Sequence, residues 1–273
     1  MSDLNSARSF LFVPGDRPER FAKAAGSGAH AIIIDLEDAV APGDKVDARR
    51  NIIKYLDGTQ DENILVRIND AESAFYEDDL DVARHPNLSG VILPKADSRH
   101  VTELVYKLEC SIWPLVETVQ GVSEVDEFAQ LPNIKRLLLG TIDLSLAMGL
   151  DMTHPGGKAM LDQARFKLVC ASGLAAIASP IDGVFPSFED EPGLVATAEY
   201  ARASGMGGMM CIHPRQIGAV HAAFSLSATD IEWAKAVIQA STGEKSSFRF
   251  RGQMIDKPVL DRARNVLASG EAA

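Results

Sequence analysis

Two acidic residues follow successive apolar segments in the middle of this 273-residue sequence. Glu117 ends the run PLVE, and Asp143 comes shortly after the run LLLG. Two ionised carboxylates about 4 Å apart repel by roughly 4 kcal/mol at an effective dielectric near 20, and a divalent cation between them removes that repulsion. Ligands made only of oxygen favour Mg²⁺ or Mn²⁺ over zinc. The pair therefore indicates a magnesium site, with helix capping or pairing to an arginine as the alternative role of each acid.

A second cluster combines three acids with an arginine. Asp35, Glu37 and Asp38 lie within four positions, and Arg67 follows the apolar run NILV. A buried guanidinium needs an anionic partner, which is either a neighbouring acid or a bound carboxylate or enolate oxygen. For Arg67 we favour contact with the ligand. The acids are either solvated residues that cap a helix, or they hold water molecules on the metal and fix the arginine.

Side chains this far apart can share a site only if regular elements bring them together. Short apolar runs alternate with segments of helical spacing, which indicates a parallel sheet covered on both faces by helices. We predict strands at 10–13, 31–35, 64–68, 90–94, 112–116, 136–140, 180–185 and 208–212. We predict helices at 18–27, 44–57, 74–85, 97–108, 121–131, 156–177, 190–204, 229–242 and 257–268.

Eight such units within about 220 residues predict a closed (β/α)8 TIM barrel, whose active site forms at the carboxyl ends of the strands. The barrel is expected over residues 1–225, and a C-terminal helical extension with a lid segment over 226–273. A doubly wound open sheet is the alternative. No G-x-G-x-x-G follows the first predicted strand, which argues against a dinucleotide-binding version of that sheet.

Composition narrows the classes of partner. The formal net charge of -11 argues against nucleic acid, because phosphate binding needs a basic surface. Cys110, Cys170 and Cys211 are widely spaced and form no C-x-x-C pair, so neither a disulfide framework nor a zinc site is indicated. No segment has the apolar core of a signal peptide or approaches the roughly 18 apolar residues of a membrane span. We expect a soluble protein of the reducing cytoplasm.

One more acid lies in the predicted extension. Asp256 occurs in MIDKPVLDRA, two residues before Pro258. An acid at this spacing is typical of an N-cap, with the proline in the first helical turn. Position alone therefore favours a capping role for Asp256.

The sequence resembles the citrate lyase β-subunit-like proteins in seven segments that occur in the same order from about residue 8 to residue 268. These proteins belong to the HpcH/HpaI aldolase superfamily, in the group of malyl-CoA and citramalyl-CoA lyases. The segments are RSFLFVPGDRPERFAKAAGSGAHAIIIDLEDAVAPGDK, VRIN, ILPKA, PLVETVQGV, LLLGTIDLS, CIHPRQI and GQMIDKPVLDRA. Each motif is weak by itself, whereas the ordered set is specific.

The resemblance implies a TIM barrel that assembles as a homotrimer and uses Mg²⁺. By motif match it implies that Glu117 and Asp143 are the metal ligands, and that Glu117 also contacts the substrate. It implies that Arg67 holds the substrate's oxygens, and that Glu37 and Asp38 form a second layer around the water molecules on the metal.

The resemblance also implies a function for the C-terminal extension. In the CoA-using relatives a G-x-M-[IV]-D-x-P segment of a neighbouring subunit supplies an aspartate to the reacting centre. Here the segment is GQMIDKP, so Asp256 is the implied residue. It would move a proton at the methyl carbon of acetyl-CoA, with the segment 246–258 closing over the site.

The implied substrate is a CoA thioester of a 3-hydroxy-3-carboxyl acid, such as citramalyl-CoA, malyl-CoA or citryl-CoA. Its cleavage would give acetyl-CoA and a 2-oxo acid, and the reverse reaction would be a Claisen condensation. One alternative is a citrate lyase β subunit acting on a citryl acyl-carrier-protein thioester. Others are a metal-dependent aldolase of free 2-oxo acids, and a non-catalytic CoA-binding module.

Overall fold

The structure is a computed structural model that describes residues 4–59, 63–241 and 247–271. The chain divides into two compact units, Met1–Phe224 and Ser225–Ala273. The predicted helix at 229–242 and the predicted lid at 246–258 each extend one residue outside the described ranges. Within those ranges, no helix is both long enough and apolar enough to cross a membrane.

The first unit is a closed barrel of eight parallel strands. The first strand pairs with both the second and the eighth, which confirms the predicted barrel and excludes the open sheet. The strands are β1 (Ser9–Pro14), β2 (Ala31–Asp35), β3 (Ile64–Arg67), β4 (Gly90–Leu93), β5 (Ile112–Val116), β6 (Leu138–Leu139), β7 (Ile181–Asp182) and β8 (Gly208–Cys211).

Side chains alternate along each strand between the barrel interior and the surrounding helices. On β2, Ile33 packs inside the barrel, whereas Ile32 and Ile34 belong to the larger core between strands and helices. Both faces are therefore buried, which explains why these strands are uninterrupted apolar runs in the sequence. The interior cluster includes Phe10 and Trp113, whose rings lie 5.6 Å apart between centroids.

Helices surround the barrel, and several begin at a residue whose side chain accepts a backbone hydrogen bond, such as Asp97 and Thr118. The helices are α1 (Phe21–Ala25), α2 (Lys45–Gly58), α3 (Tyr76–Ala83), α4 (Ser98–Lys107), α5 (Val119–Phe128), α6 (Thr141–Ala147), α7 (Pro155–Leu174), α8 (Glu191–Ala203) and α9 (Gln216–Phe224). Two 3-10 turns, Pro18–Arg20 and Pro42–Asp44, precede α1 and α2.

Two strands of the barrel are shorter than predicted, and two of its helices were not predicted. Strands β6 and β7 are shorter than the predicted ranges 136–140 and 180–185. At the end of β7 the Gly183 backbone N–H donates to the Asp182 carboxylate rather than to a neighbouring strand, and this ends the ladder. Helices α6 and α9 were not predicted, since α6 has only seven residues and shows too little periodicity.

The second unit packs two helices with a two-stranded hairpin. Its elements are α10 (Ala228–Ala240), β9 (Phe248–Phe250), β10 (Gln253–Ile255) and α11 (Lys257–Glu271). The hairpin turns at Arg251 and Gly252, both at positive φ, as a tight two-residue connection requires. Ile255 is buried with side chains of α10 and α11. The hairpin was not predicted, because its strands have only three residues each.

Candidate active site

A cavity of about 310 Å³ opens at the carboxyl ends of the barrel strands. It brings together five of the candidate residues named from the sequence, namely Asp35, Asp38, Arg67, Glu117 and Asp143. The other lining residues are Phe12, Ala39, Leu115, Gly140, Thr141, Ile142, Val184, Met210 and Ile212. Residues from β2, β3, β5 and the α6 turn thus share one mouth, as a TIM-barrel active site requires.

Asp35 and Arg67, the last residues of β2 and β3, form a bidentate ion pair. Asp35 and Arg67 are paired in the sheet register, and their side chains meet above it. Arg67 Nε donates to Asp35 Oδ1 at 2.8 Å, and Nη2 donates to Oδ2 at 2.7 Å. Asp35 is 1% exposed and Arg67 9%, so the pair is largely removed from water. Such bidentate geometry holds the guanidinium in one orientation.

The same aspartate fixes the loop that follows β2. Asp35 also accepts hydrogen bonds from the backbone N–H groups of Glu37, at 2.9 Å, and Ala39, at 3.1 Å. The loop therefore curls back over Arg67, whose Nη1 lies 2.9 Å from Glu37 Oε2 and 3.5 Å from Asp38 Oδ2. Three acids thus surround one guanidinium, and contact between Arg67 and a ligand stays a prediction.

Glu37 is buried with an incomplete set of partners. Its Oε2 makes no hydrogen bond to the described residues, because the approach of Arg67 is close but poorly angled. Burial, opposed by the charge of Arg67, raises the pKa of Glu37 to about 7. A further positive charge or an ordered water molecule would stabilise the ionised form of this carboxylate.

A buried lysine donates hydrogen bonds to the backbone of the loop that follows β2. Lys45, at the start of α2, donates from Nζ to the carbonyl oxygens of Leu36 at 2.7 Å and Glu37 at 3.0 Å. It also donates to Asn69 Oδ1 at 2.6 Å, and Asn69 in turn donates to the buried Asp79. Burial lowers the pKa of the lysine. We did not select Lys45 from the sequence, although a cation in the first turn of a helix opposes the helix dipole and could have been the signal.

Lys95 contacts both Glu37, in the loop after β2, and Glu117, which follows β5. It has positive φ, at 48°, and its backbone N–H donates to Glu117 Oε1 at 2.9 Å. Its side chain reaches Glu37 Oε1 at 3.2 Å and Asp70 Oδ2 at 3.1 Å. One residue therefore positions Glu117 through its backbone and Glu37 through its side chain.

Glu117 follows β5 and is 4% exposed. Burial, together with the negative charges of Glu37 and Asp143, raises its pKa to about 8. Asp143 is exposed and lies in the first turn of α6, whereas we predicted it at a strand end. The two acids nevertheless line the same cavity, as expected.

Gly140 leaves the space that the Glu117 side chain occupies. A Cβ atom at position 140 would lie 2.4 Å from Glu117 Cβ and 2.5 Å from Glu117 Oε2. Both distances are far below van der Waals contact, so a larger residue here must displace the carboxylate. We predicted this glycine as the last residue of a strand and did not anticipate its role.

The donor set suits a hard divalent cation. Within the described ranges, no three His, Cys, Asp or Glu side chains are grouped to bind a metal. Magnesium commonly takes only one or two carboxylates and fills its other positions with water and substrate. Glu117 and Asp143 would supply these carboxylates, and the absence of a Cβ at Gly140 leaves room for the Glu117 side chain.

Asp256 belongs to the second unit and begins α11. Its Oδ1 accepts a hydrogen bond from the Val259 backbone N–H at 3.3 Å, which confirms the predicted capping role. The side chain is only half-buried. Its catalytic role stays a prediction.

The sequence matches known proteins along nearly its whole length. The model of the HpcH/HpaI aldolase/citrate lyase family matches residues 8–214. A citrate lyase subunit beta-like protein of Mycobacterium tuberculosis is 37% identical over 96% of each chain. In Cereibacter sphaeroides, a (3S)-malyl-CoA thioesterase is 33% identical over 97% of this chain and 95% of that one. An L-malyl-CoA/beta-methylmalyl-CoA lyase of the same organism is 31% identical over 97% and 94%.

A solved structure agrees with the fold. The CitE protein of Mycobacterium tuberculosis, in complex with magnesium, acetoacetate and coenzyme A, is similar with a TM-score of 0.87 and 33% identity. The match covers 98% of this chain and 100% of that one. The TIM barrel predicted from the sequence is therefore found both in the structure and in this relative.

We predict that Asp35→Asn destabilises the protein by about 3 kcal/mol, because it leaves the buried Arg67 charge without its main partner. Urea unfolding followed by circular dichroism measures the change. The matched control is Asp38→Asn, which contacts the same guanidinium from a side chain that is 69% exposed and should cost less than about 1 kcal/mol. Equal losses in the two variants would contradict the anchoring role of Asp35.

We predict that Gly140→Ala weakens divalent-cation binding at least about tenfold, because the added methyl group displaces the Glu117 carboxylate. Isothermal calorimetry with Mg²⁺ measures the affinity. Gly173→Ala is the matched control, since a Cβ there meets nothing within 4 Å and helical alanine is favoured by roughly 0.5–1 kcal/mol. Unchanged affinity in the Gly140 variant would separate this glycine from the metal site.

Proposed function

The chain belongs to the HpcH/HpaI aldolase/citrate lyase family, and from this we propose that it is a Mg²⁺-dependent carbon–carbon lyase. Its substrate would be the CoA thioester of a 3-hydroxy-3-carboxyl acid, such as citramalyl-CoA or malyl-CoA. The products would be acetyl-CoA and a 2-oxo acid, or the reaction would run as the reverse condensation. The observation that carries the proposal is the meeting of Glu117, Asp143 and Arg67 around one cavity.

We assign roles in this reaction to Glu117, Asp143 and Arg67. Glu117 and Asp143 would hold Mg²⁺, which when bound supplies a Lewis acid for the carboxylate and hydroxyl of the substrate. Arg67 would stabilise the negative charge that develops on the thioester oxygen as the bond breaks. Because Asp35 already orients its guanidinium, little rearrangement is needed when that charge appears.

The remaining acids would handle protons and water. During cleavage Asp256 would give a proton to the methyl carbon of acetyl-CoA while the substrate hydroxyl loses its proton to water at the mouth, and both transfers would reverse during condensation. Glu37 and Asp38 flank Arg67 and would accept hydrogen bonds from water at the mouth. In this scheme the acid at the reacting carbon and the cation-binding acids are different residues.

We propose further that the protein is a cytoplasmic homotrimer and that GQMIDKP of one subunit serves the barrel of its neighbour. Asp256 is half-buried at the start of α11. The solved relative in complex with magnesium, acetoacetate and coenzyme A supports the choice of ligands.

A thioesterase is the second candidate, because one relative named (3S)-malyl-CoA thioesterase is 33% identical over nearly the whole chain. Hydrolysis would release free CoA and a hydroxy acid, whereas the lyase releases acetyl-CoA and an oxo acid. A citryl acyl-carrier-protein lyase and a non-catalytic CoA-binding module would both leave CoA thioesters intact.

The test is a panel of citramalyl-, malyl-, citryl- and hydroxymethylglutaryl-CoA, incubated with the purified protein with and without Mg²⁺. We expect at least one thioester to release acetyl-CoA, detected by chromatography, and chelation of the metal to abolish the release. Free CoA without acetyl-CoA would assign the thioesterase instead. Binding of CoA without any product would reject catalysis on CoA thioesters.

We expect Asp256→Asn to lower kcat by about 10²–10⁴-fold, the usual contribution of a general acid or base. Mg²⁺ affinity should stay unchanged. Asp261→Asn is the matched control, since Asp261 lies on the same helix and pairs only with the exposed Arg264 among the contacts described for it.

Mixing subunits tests the source of Asp256. If a neighbour supplies it, inactive Asp256→Asn and inactive Glu117→Gln proteins should regain activity when refolded together. Full activity of Asp256→Asn alone would remove this residue from the mechanism.

A further inference from the structure

Gln216, in the segment CIHPRQI, is a buried polar residue outside the set that would perform the reaction. It is the first residue of α9 and is 1% exposed. It is not among the described residues that line the active-site cavity. A buried amide needs hydrogen bonds to replace those it would make with water, so its partners show which parts of the chain it holds.

The Gln216 side chain bonds to the backbones of two different loops. Its Oε1 accepts from the N–H groups of Ile212, at 2.9 Å, and His213, at 3.2 Å, in the loop after β8. Its Nε2 donates to the carbonyl oxygens of Phe185, at 2.9 Å, and Ser187, at 3.2 Å, in the loop after β7. These bonds use both lone pairs of the amide oxygen and both of its N–H groups. One side chain therefore satisfies its hydrogen bonds only by joining the two loops.

A ring contact joins the same two loops. Phe188, in the loop after β7, stacks on His213, in the loop after β8, with centroids 5.0 Å apart and planes 20° apart. Phe188 is 47% exposed, so this contact lies near the surface, whereas the Gln216 amide is buried. Two contacts of different chemistry thus hold the loops together. We call the two loops, residues 183–190 and 212–215, the β7–β8 wall.

Each loop of the β7–β8 wall contributes a side chain to the active-site cavity. Val184 directly precedes Phe185, and Ile212 carries one of the N–H groups bound by Gln216. Both Val184 and Ile212 line the cavity. Ile212 is 41% exposed and Val184 is only partly buried, so packing alone does not fix them. Their positions depend on the backbone of the two loops.

We propose that Gln216 is a positioning residue of the active site. Its amide locks the β7–β8 wall and thereby sets where Val184 and Ile212 meet the substrate. This inference rests on the proposed lyase function and adds a residue that acts on the site through the two loops. Glu117 is held by a different contact, the Lys95 backbone N–H, so the wall and the cation-binding acids are positioned separately.

Two substitutions test this role. Gln216→Glu keeps the size and an acceptor oxygen but loses the N–H groups that face the two carbonyl oxygens, and Gln216→Leu loses all four bonds. We expect both to lower kcat/KM for the cleaved thioester at least about tenfold, since a misplacement of about 1 Å can cost on the order of 10²-fold, whereas Mg²⁺ affinity by calorimetry should change less than about twofold.

The matched controls are Gln130→Glu and Gln130→Leu. Gln130 is exposed and donates to the Asp126 carbonyl oxygen, so its variants should keep the wild-type kcat/KM. Circular dichroism checks that each variant is folded. Wild-type kcat/KM in both Gln216 variants would overturn the inference. A parallel loss of Mg²⁺ affinity would also overturn it, because that result indicates a general loss of site structure.

Hydrogen–deuterium exchange followed by mass spectrometry tests the hydrogen bonds without turnover. In Gln216→Leu, peptides covering residues 212–213 should exchange at least about tenfold faster, because these N–H groups lose their acceptor. In Gln216→Glu they should stay protected. Faster exchange is expected there in residues 189–190, whose N–H groups donate to Ser187 Oγ.

The exchange measurement separates failure of the inference from failure of the proposed function. If no CoA thioester is cleaved, the predicted exchange pattern with unchanged Mg²⁺ affinity still supports the locking of the β7–β8 wall by Gln216, and only the lyase function fails. Wild-type exchange in both Gln216 variants overturns the inference whatever the activity.

Discussion

The ion pair between Asp35 and Arg67 organises the whole mouth of the barrel. It joins the ends of two adjacent strands, where a buried guanidinium must be compensated. The same carboxylate accepts two backbone N–H groups of the following loop, so the loop conformation and the arginine orientation are fixed together. Glu37 and Asp38 reach their positions only because that loop curls back. The remaining polar groups of the site are arranged around this constraint.

Negative charge exceeds positive charge in the region that this pair creates. Glu117 and Glu37 are both buried, and their pKa values are raised to about 8 and 7. Lys95 relieves part of the repulsion by contacting both acids, through its backbone and its side chain. The family is one of aldolases and citrate lyases, and a relative is solved with magnesium, so the acid-rich mouth agrees with chemistry that needs a cation.

Much of the fold could be read from the sequence, because burial on both faces turns each strand into a continuous apolar run. Residues at strand ends, such as Arg67 and Glu117, could be located by the same pattern. The short length of β7 could not be predicted, because it depends on the Asp182 carboxylate accepting a hydrogen bond from the Gly183 backbone N–H. Lys45 was missed because its partners are mainly carbonyl oxygens, which have no sequence signature. Gly140 was missed because its role is space for a side chain 23 positions earlier.

Leu115 and Met210 line the cavity and also pack in the hydrophobic cluster inside the barrel. A substitution at Leu115 or Met210 alters substrate fit and core packing at once, and most such changes cost stability. Val184, which follows β7, also borders the cavity but is only partly buried, so a change there should cost less stability. Changes in the shape of the cavity should therefore be tolerated first at the connection after β7, and at the deeper positions only together with compensating mutations elsewhere.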